Sequence, residues 1–218
     1  MIISIDGPAG SGKSTVAKTL SKKLNFFHFN SGSLYRAVTA YLLANKFNVN
    51  NITEQNSKFK LKIKVEFIDG VQQVFVNNVN YSNKLRDNQI SVTTPLVSVN
   101  KYVRKIVDKC QKKFCKKNNV VVDGRDIGSY VFPKAQFKFY LDCDIKERAK
   151  RRYLEEKQKN SKITLKSIET ELEKRDFFDK NKKIAPLVIP NNAIIIDSTK
   201  LSIDEVVEKM FNIVKENT

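Results

Sequence analysis

The first fifteen residues, MIISIDGPAGSGKST, place three glycines ahead of a lysine, a serine and a threonine. Gly7, Gly12, Lys13 and Ser14 fit the spacing G-x-x-x-x-G-K-[ST] between a predicted strand and a predicted helix. Glycine backbone can wrap a phosphate and aim successive N–H groups at it, and a helix starting there adds the positive end of its dipole. We expect Lys13 to reach the β- and γ-phosphates and Ser14 to ligate Mg²⁺. The predicted nucleoside triphosphate site comprises Gly7, Pro8, Ala9, Gly10, Ser11, Gly12, Lys13, Ser14 and Thr15.

This motif does not identify the group that receives the γ-phosphate. A GTPase or motor ATPase transfers it to water, whereas a small-molecule kinase transfers it to a second substrate. A kinase therefore needs a second anion site and a lid that excludes water, because hydrolysis competes with transfer.

Charged residues further along the chain are candidates for that second site. NSGSLYR places Ser31 and Arg36 at the start of a predicted helix, and an arginine can clamp a phosphate through two hydrogen bonds. VVVDGRDIG places Asp123, Arg125 and Asp126 just beyond a predicted buried strand. Open α/β sheets bind ligands at the carboxyl ends of their strands, so this segment predicts a functional site.

Two strongly basic segments, ERAKRRYLEEKQKN and EKRDFFDKNKK, bracket the polar stretch KQKNSKIT. Two interpretations stay open. The segments are either solvated helix faces or the flanks of a mobile lid, at approximately 155–165, whose cations close over the phosphates.

Strands alternate with helices along most of the sequence, which is typical of parallel βαβ units. The predicted strands are IISI, NVVVDG, FKFYLDC and NAIIIDST. The predicted helices are STVAKTLSKKLN, SGSLYRAVTAYLLANKF, VSVNKYVRKIVDKCQKKFCKK, DIKERAKRRYLEEKQKN, LKSIETELEKRDFFDKNKK and SIDEVVEKMFNIVKEN. A hairpin is predicted in LKIKVEFIDGVQQVFVNN, where two apolar runs flank Asp69-Gly70.

The predicted fold is therefore an α/β P-loop NTPase-type parallel sheet flanked by helices, with an insert that contains the hairpin, and a short lid. We expect one kinase domain over 1–218, with a core of approximately 1–40 and 95–218 and an insert of approximately 41–94. Such a length suits a single core with small appendages.

The net charge of +17 is compatible with nucleic acids, anionic membranes or anionic small substrates. The lysines are spread over the whole chain, which indicates a bias in overall composition more than a single binding patch. We therefore expect phosphorylated small molecules as partners, without nucleic acid or membrane. Three cysteines and the lack of an apolar run of about 18 residues favour an intracellular protein.

The chain resembles the bacterial cytidylate kinases, a family of nucleoside-monophosphate kinases, over nearly its whole length. The most discriminating segment is DGRDIG followed by VFP, because the glycine loop is shared by many families. The resemblance rests on IDGPAGSGKST, NSGSLYR, DGRDIGSYVFPKAQFKFYLD, ERAKRR, KRDFFDKN, APLVIP and IIIDST. It implies that the insert containing the hairpin is an acceptor-binding region.

The resemblance implies that ATP and CMP or dCMP react, with Mg²⁺, to give ADP and CDP or dCDP in a cytoplasmic monomer. It implies catalytic roles for Lys13, Arg125 and Arg175. It assigns the cytosine edge to Ser31, Arg104 and Asp126. It assigns the phosphate of CMP to Arg36 and Arg125, and the ribose and phosphates to Arg175 and Asp179, with Lys182 also in the CMP site.

The sequence departs from the family at three positions. Pro95 stands where the family has a base-contacting serine, and Phe178 and Lys182 stand where arginines are frequent. A lysine keeps the charge but loses the planar fork of arginine, so we expect a slower or less selective enzyme. Asp123 has two open roles, which are positioning Mg²⁺ through water and orienting Arg125.

Three alternative functions are separable by experiment. The nearest is a kinase for another monophosphate, UMP or AMP, because only the acceptor pocket decides. A P-loop hydrolase would release ADP without an acceptor. A nucleic-acid-binding module would show steep salt dependence, and the sequence offers no aromatic and basic motif for it.

Overall fold

The computed structural model describes residues 1–49, 52, 60–85, 87–157 and 163–217. The chain forms two compact units. Unit 1 comprises Met1–Phe26 and Val121–Thr218, and unit 2 comprises Phe27–Val120. Residues 158–162 of the predicted lid lie outside the described residues. The predicted limits of the core, the insert and the lid stay predictions.

The secondary structure of the described residues follows the predicted alternation closely. The strands are β1 (Ile2–Asp6), β2 (Phe27–Asn30), β3 (Ile63–Ile68), β4 (Val71–Val76), β5 (Val79–Asn80), β6 (Val120–Asp123), β7 (Phe137–Asp142) and β8 (Ile194–Asp197). The helices are α1 (Lys13–Leu24), α2 (Ser31–Ala44), α3 (Asn88–Ser98), α4 (Lys101–Cys115), α5 (Ile145–Lys157), α6 (Leu165–Asn181) and α7 (Ile203–Glu216).

The sheet of unit 1 contains its strands in the order β6-β1-β7-β8. Strand β7 is parallel to both neighbours, with Phe137 beside Ile3 of β1 and Phe139 beside Ile194 of β8. The four residues of β6 are all buried, as expected for a strand covered on both faces. The predicted parallel sheet flanked by helices is therefore confirmed.

Helices α1 and α7 bury their apolar faces against this sheet. Val16 and Leu20 of α1 and Met210 of α7 are fully buried with Ile5 and Phe139 of the strands. Helix α7 starts with a reciprocal capping box, in which the Ser202 hydroxyl accepts from the Glu205 amide and the Glu205 carboxylate accepts from the Ser202 amide. This capping box fixes where the helix begins.

Unit 2 contains the predicted hairpin. Strands β3 and β4 pair antiparallel and turn at Asp69 and Gly70, whose φ angles of 50° and 72° suit a two-residue hairpin turn. Strand β5 adds a third, short strand at Val76. The small antiparallel sheet matches the hairpin-containing insert that the sequence predicted.

The prediction of one continuous helix over VSVNKYVRKIVDKCQKKFCKK is wrong. Helix α3 ends at Ser98 and α4 begins at Lys101. The Asn100 side chain accepts a hydrogen bond from the Val103 amide and so caps a new helix in the middle of the segment. Helix α3 itself was not predicted, because its β-branched residues and Pro95 disfavour a helix locally.

Within the residues that the structure describes, no helix is long and apolar enough to cross a membrane. The three cysteines are free thiols, and two of them are buried. Burial raises the pKa of Cys115 to about 12, which keeps that thiol protonated and suits a packing role.

Candidate nucleotide-binding site

The glycine loop follows β1 and leads directly into α1, as its spacing predicted. Gly7 has a φ of 149°, and a Cβ there would lie 2.2 Å from the Leu141 carbonyl oxygen. Gly12 precedes the helix with a left-handed φ of 87°. The loop therefore needs glycine for two reasons, which are a close approach to β7 and a backbone conformation that L side chains rarely adopt.

The Lys13 side chain folds back over this loop. Its Nζ donates to the Pro8 carbonyl oxygen at 2.5 Å and to the Ser11 hydroxyl at 3.2 Å. Burial, followed by the nearby Arg125, lowers the pKa of Lys13 well below its ordinary value, and Asp123 opposes this shift. The loop thus holds a desolvated amine at its centre, and an anionic group bound beside it would favour the charged form.

Ser14 and Asp123 form an oxygen pair beside the loop. The Ser14 hydroxyl donates to Asp123 Oδ2 at 2.6 Å, and Asp123 is the last residue of the buried β6. A hydroxyl and a carboxylate are hard oxygen donors, which are the ligands that Mg²⁺ prefers. No group of three His, Cys, Asp or Glu side chains in the described residues is arranged to hold a metal. The pair therefore suits an ion that receives its other ligands from a nucleotide and water.

Arg125, Arg175 and Asp179 form a charged cluster. Asp179 Oδ2 accepts from Arg125 Nε at 2.9 Å and from Arg175 Nε at 3.2 Å. Burial raises the pKa of Asp179, but the two guanidinium groups outweigh it and hold the pKa below its usual range. Two arginines thus share one carboxylate, which leaves a net positive group suited to a phosphate.

A carboxylate that the sequence analysis did not single out orders the DGRDIG segment. Asp6, at the end of β1, accepts from the amides of Ile127 at 2.8 Å and Gly128 at 2.7 Å. Burial raises the pKa of Asp6 to about 7, although these two amides oppose the shift. Asp6 therefore fixes the backbone that follows Arg125 and Asp126. The only sequence signal was an acidic residue ending a buried strand.

Two further residues that the sequence analysis did not assign support the glycine loop. The Ala9 amide donates to Asp176 Oδ1 at 3.0 Å, and Arg148 donates to the Ala9 carbonyl oxygen at 2.8 Å. Arg148 also donates to Asp176 Oδ2 at 2.7 Å. Arg148 belongs to the basic segment ERAKRR, yet it is only 5% exposed. For this residue, neither a solvated helix face nor a lid cation is the correct description.

A cavity of about 520 Å³ opens over the glycine loop in unit 1. Arg151 and Arg152 of α5 line it, and carboxylates restrain both: Arg151 pairs with Glu147 at 2.9 Å, and Arg152 pairs with Glu156 at 2.6 Å. Its described lining residues are Gly10, Gly12, Lys13, Ser14, Thr15, Arg125, Arg151, Arg152, Glu155, Leu201, Ser202 and Ile203. The cavity thus combines the predicted phosphate-binding residues with three arginines and an apolar wall.

Three of the remaining predicted residues, Ser31, Arg36 and Arg104, lie in unit 2, at separate sets of contacts. The Ser31 hydroxyl donates to Gln111 Oε1 at 2.9 Å, and Arg36 donates to the Ser91 hydroxyl at 2.7 Å. Arg104 is buried, donates to the Ser98 carbonyl oxygen at 3.2 Å and lies 5.7 Å from the centre of the Tyr35 ring. In unit 1, Lys182 follows the last residue of α6.

Pro95 lies inside α3, and the hydroxyl groups of Thr94 and Ser98 near it bond to their own helix. Thr94 Oγ1 donates to the Ile90 carbonyl oxygen at 2.6 Å, and Ser98 Oγ donates to the Pro95 carbonyl oxygen at 2.7 Å. Each hydroxyl proton is therefore already used, which leaves only oxygen lone pairs for another partner.

A glycine loop between a parallel strand and a helix, under a cavity lined by arginines, defines the class as a P-loop nucleotide-binding protein. A family model described as cytidylate kinase matches residues 3–216. The chain therefore belongs to the cytidylate kinase family, which confirms the resemblance, and it is an enzyme of the phosphotransferase class.

Individual relatives agree with this family. A protein of Caldanaerobacter subterraneus subsp. tengcongensis named cytidylate kinase is 42% identical over 219 residues, covering 99% of this chain and 95% of that protein. Another from Halalkalibacterium halodurans is 41% identical over 219 residues, covering 99% and 98%. The solved structure of shikimate kinase from Acinetobacter baumannii in complex with shikimate has a TM-score of 0.50 at 13% identity, covering 100% of this chain and 94% of that one. This last likeness concerns the fold alone.

Proposed function

We propose that this enzyme transfers the γ-phosphoryl group of ATP to CMP or dCMP, giving ADP and CDP or dCDP. The observation that carries the proposal is the cavity in which Lys13, Ser14 and Arg125 lie with the glycine loop. The names of the relatives support CMP as the acceptor.

The proposed reaction is an in-line displacement at the γ-phosphorus. An oxygen of the CMP phosphate forms the new bond, and the bond from the γ-phosphorus to the bridging oxygen of ADP breaks. The acceptor oxygen is already a nucleophile, so no side chain has to act as a strong base. The protein instead positions the two phosphates and neutralises charge through the loop amides, Lys13 and Arg125.

Ser14 and Asp123 are the residues that would hold Mg²⁺ with the phosphates of ATP. Their hydroxyl and carboxylate oxygens, 2.6 Å apart, are suitable donors. When bound, Mg²⁺ supplies positive charge to the β- and γ-phosphate oxygens. We favour this role for Asp123 because its carboxylate accepts directly from the hydroxyl of Ser14, the other residue proposed to hold the ion.

The acceptor roles stay as the resemblance assigned them. We propose that Arg125, Arg175 and Asp179 act on the phosphate and ribose of CMP, because a pair of arginines around one carboxylate offers charge and hydrogen-bond donors together. The other proposed CMP contacts are Ser31, Arg36, Arg104, Asp126 and Lys182. We also propose that the enzyme works as a cytoplasmic monomer, which light scattering of the purified chain would test.

The decisive experiment is ADP formation from ATP and Mg²⁺ with CMP, dCMP, UMP, AMP, dTMP or no acceptor. We expect turnover with CMP and dCMP only. Turnover with UMP as well would mean that Pro95 has loosened base selection, and turnover with AMP alone would assign a different acceptor. ADP formed at the same rate without any acceptor would make the protein a hydrolase and contradict the proposal.

A further inference from the structure

A completely buried amide in unit 2 has no part in the mechanism described above. Gln111 of α4 is 0% exposed. Its Nε2 donates to Asp108 Oδ1 at 2.9 Å, and its Oε1 accepts from the Ser31 hydroxyl at 2.9 Å. Burying an amide is costly unless its polar atoms are bonded, so these two contacts account for its position.

The chemistry of Asp108 fixes which way this amide points. An ionised carboxylate only accepts hydrogen bonds, so the NH₂ group of Gln111 must face Asp108. If the amide were reversed, the Gln111 oxygen would lie 2.9 Å from Asp108 Oδ1, and two hydrogen-bond acceptors would face each other. The carbonyl oxygen of Gln111 consequently faces Ser31, and the Ser31 hydroxyl must donate its single proton to it.

A serine hydroxyl that has given away its proton can only accept from a further partner. The exocyclic amine of cytosine is a donor, whereas the corresponding position of uracil is an acceptor carbonyl. We infer that Gln111, oriented by Asp108, fixes the polarity of Ser31 and thereby selects CMP over UMP. This inference rests on the proposed function, in which Ser31 reads the base.

The test is the ratio of the dissociation constants for UMP and CMP, measured by calorimetry on the full chain. Gln111→Met keeps the length of the side chain but removes the acceptor, so the Ser31 hydroxyl becomes able to rotate and donate. We expect the UMP/CMP ratio to fall about tenfold, the size of one mismatched hydrogen bond. Lys112→Ala, an exposed neighbour on α4, is the matched control and should keep the ratio.

A second variant separates polarity from packing. In Asp108→Asn with Gln111→Glu, the new amide donates to the new carboxylate, which again accepts from Ser31. We expect this exchange to restore the wild-type ratio. An equal loss of affinity for both nucleotides in Gln111→Met, with the ratio unchanged, would show a merely structural role and overturn the inference.

Ser31→Ala tests the same contact from the other end and serves if the Gln111 variants fail to fold. We expect its ratio to fall as well, and an unchanged ratio would overturn the inference. Binding is independent of turnover, so the two proposals fail separately. A chain that discriminates CMP through Gln111 but forms no CDP would contradict the proposed function alone.

Discussion

Arg148 Nη1 and Asp176 Oδ2 lie 2.7 Å apart, and both side chains bond the backbone of Ala9. Arg148 donates to the Ala9 carbonyl oxygen, and Asp176 accepts from the Ala9 amide. One residue belongs to α5 and the other to α6, so two helices jointly hold the backbone of one residue of the glycine loop, on both sides of its Cα. The loop is therefore shaped by distant side chains as well as by its own glycines.

Replacing Arg148 tests this support. We expect Arg148→Ala to lower the free energy of unfolding by about 3–5 kcal/mol, because Asp176 would remain buried without its cation. We also expect a higher KM for ATP, since the Ala9 carbonyl loses its donor. Urea unfolding and ATP titrations measure the two effects. Lys150→Ala, exposed on the same helix, should change neither. Equal stability of both variants would contradict the supporting role.

Lys13→Met separates activity from stability. We expect kcat to fall about 10²- to 10³-fold, because the cation beside the transferred phosphate is lost. We also expect the free energy of unfolding, without nucleotide, to rise by about 1 kcal/mol. Burial lowers the pKa of Lys13, so its charged form opposes folding at neutral pH. Lys18→Ala, exposed on α1, is the control. Near wild-type turnover would refute the phosphate role.

Asp6 predicts a pH dependence of stability. Its pKa is about 7 in the fold, against an ordinary value of 3.8. The folded state binds this proton more tightly than the unfolded state does. Asp6 therefore contributes its full stabilisation when the pH is below its ordinary pKa, and this contribution is lost as the pH rises through about 7. Burial is the main cause, Asp126 raises the pKa further and Lys13 lowers it.

The comparison variant is Asp6→Asn, which cannot titrate. We expect the stability of the wild type relative to Asp6→Asn to decrease between about pH 4 and about pH 8, measured by urea unfolding. A difference that stays constant over this range would show that Asp6 does not titrate there.

The oxygen pair of Ser14 and Asp123 leads to a prediction about how activity depends on Mg²⁺. We expect Ser14→Ala to raise the Mg²⁺ concentration for half-maximal activity at least about tenfold, because one oxygen donor is lost. The same shift should appear in the Mg²⁺ dependence of binding of a non-hydrolysable ATP analogue. Ser14→Thr keeps the hydroxyl and should stay close to the wild type. Unaltered Mg²⁺ dependence in Ser14→Ala would exclude this residue as a ligand.

We expect activity to require the shape of the Arg125 side chain as well as its charge. We expect Arg125→Ala to lower kcat for CMP about 10³-fold, as for other arginines that neutralise a transferred phosphoryl group. Arg125→Lys should recover only part of this loss, because an ammonium lacks the planar fork that also binds Asp179. Circular dichroism of both variants checks the fold. Full activity in the lysine variant would reduce the role of Arg125 to a point charge.

Sequence patterns predicted the parallel sheet, the hairpin and most helices, because the apolar periodicity and turn residues that indicate them lie close together in the sequence. Helix α3 and the break before α4 were missed. In the first case tertiary packing overrides the local preference of a Pro95-containing segment, and in the second a single cap at Asn100 interrupts a long amphipathic pattern.

The sequence alone determined the glycine loop, Lys13 and Ser14, since this site is built within fifteen residues by backbone freedom and the start of a helix. Only the tertiary structure decided which buried side chains hold it and which hold its neighbours. Asp176 reaches Ala9 across 167 residues of chain, Asp6 reaches Ile127 across 121, and Ser31 reaches Gln111 across 80. Such pairs form because folding desolvates both groups and each must find a partner, and no local pattern specifies that partner.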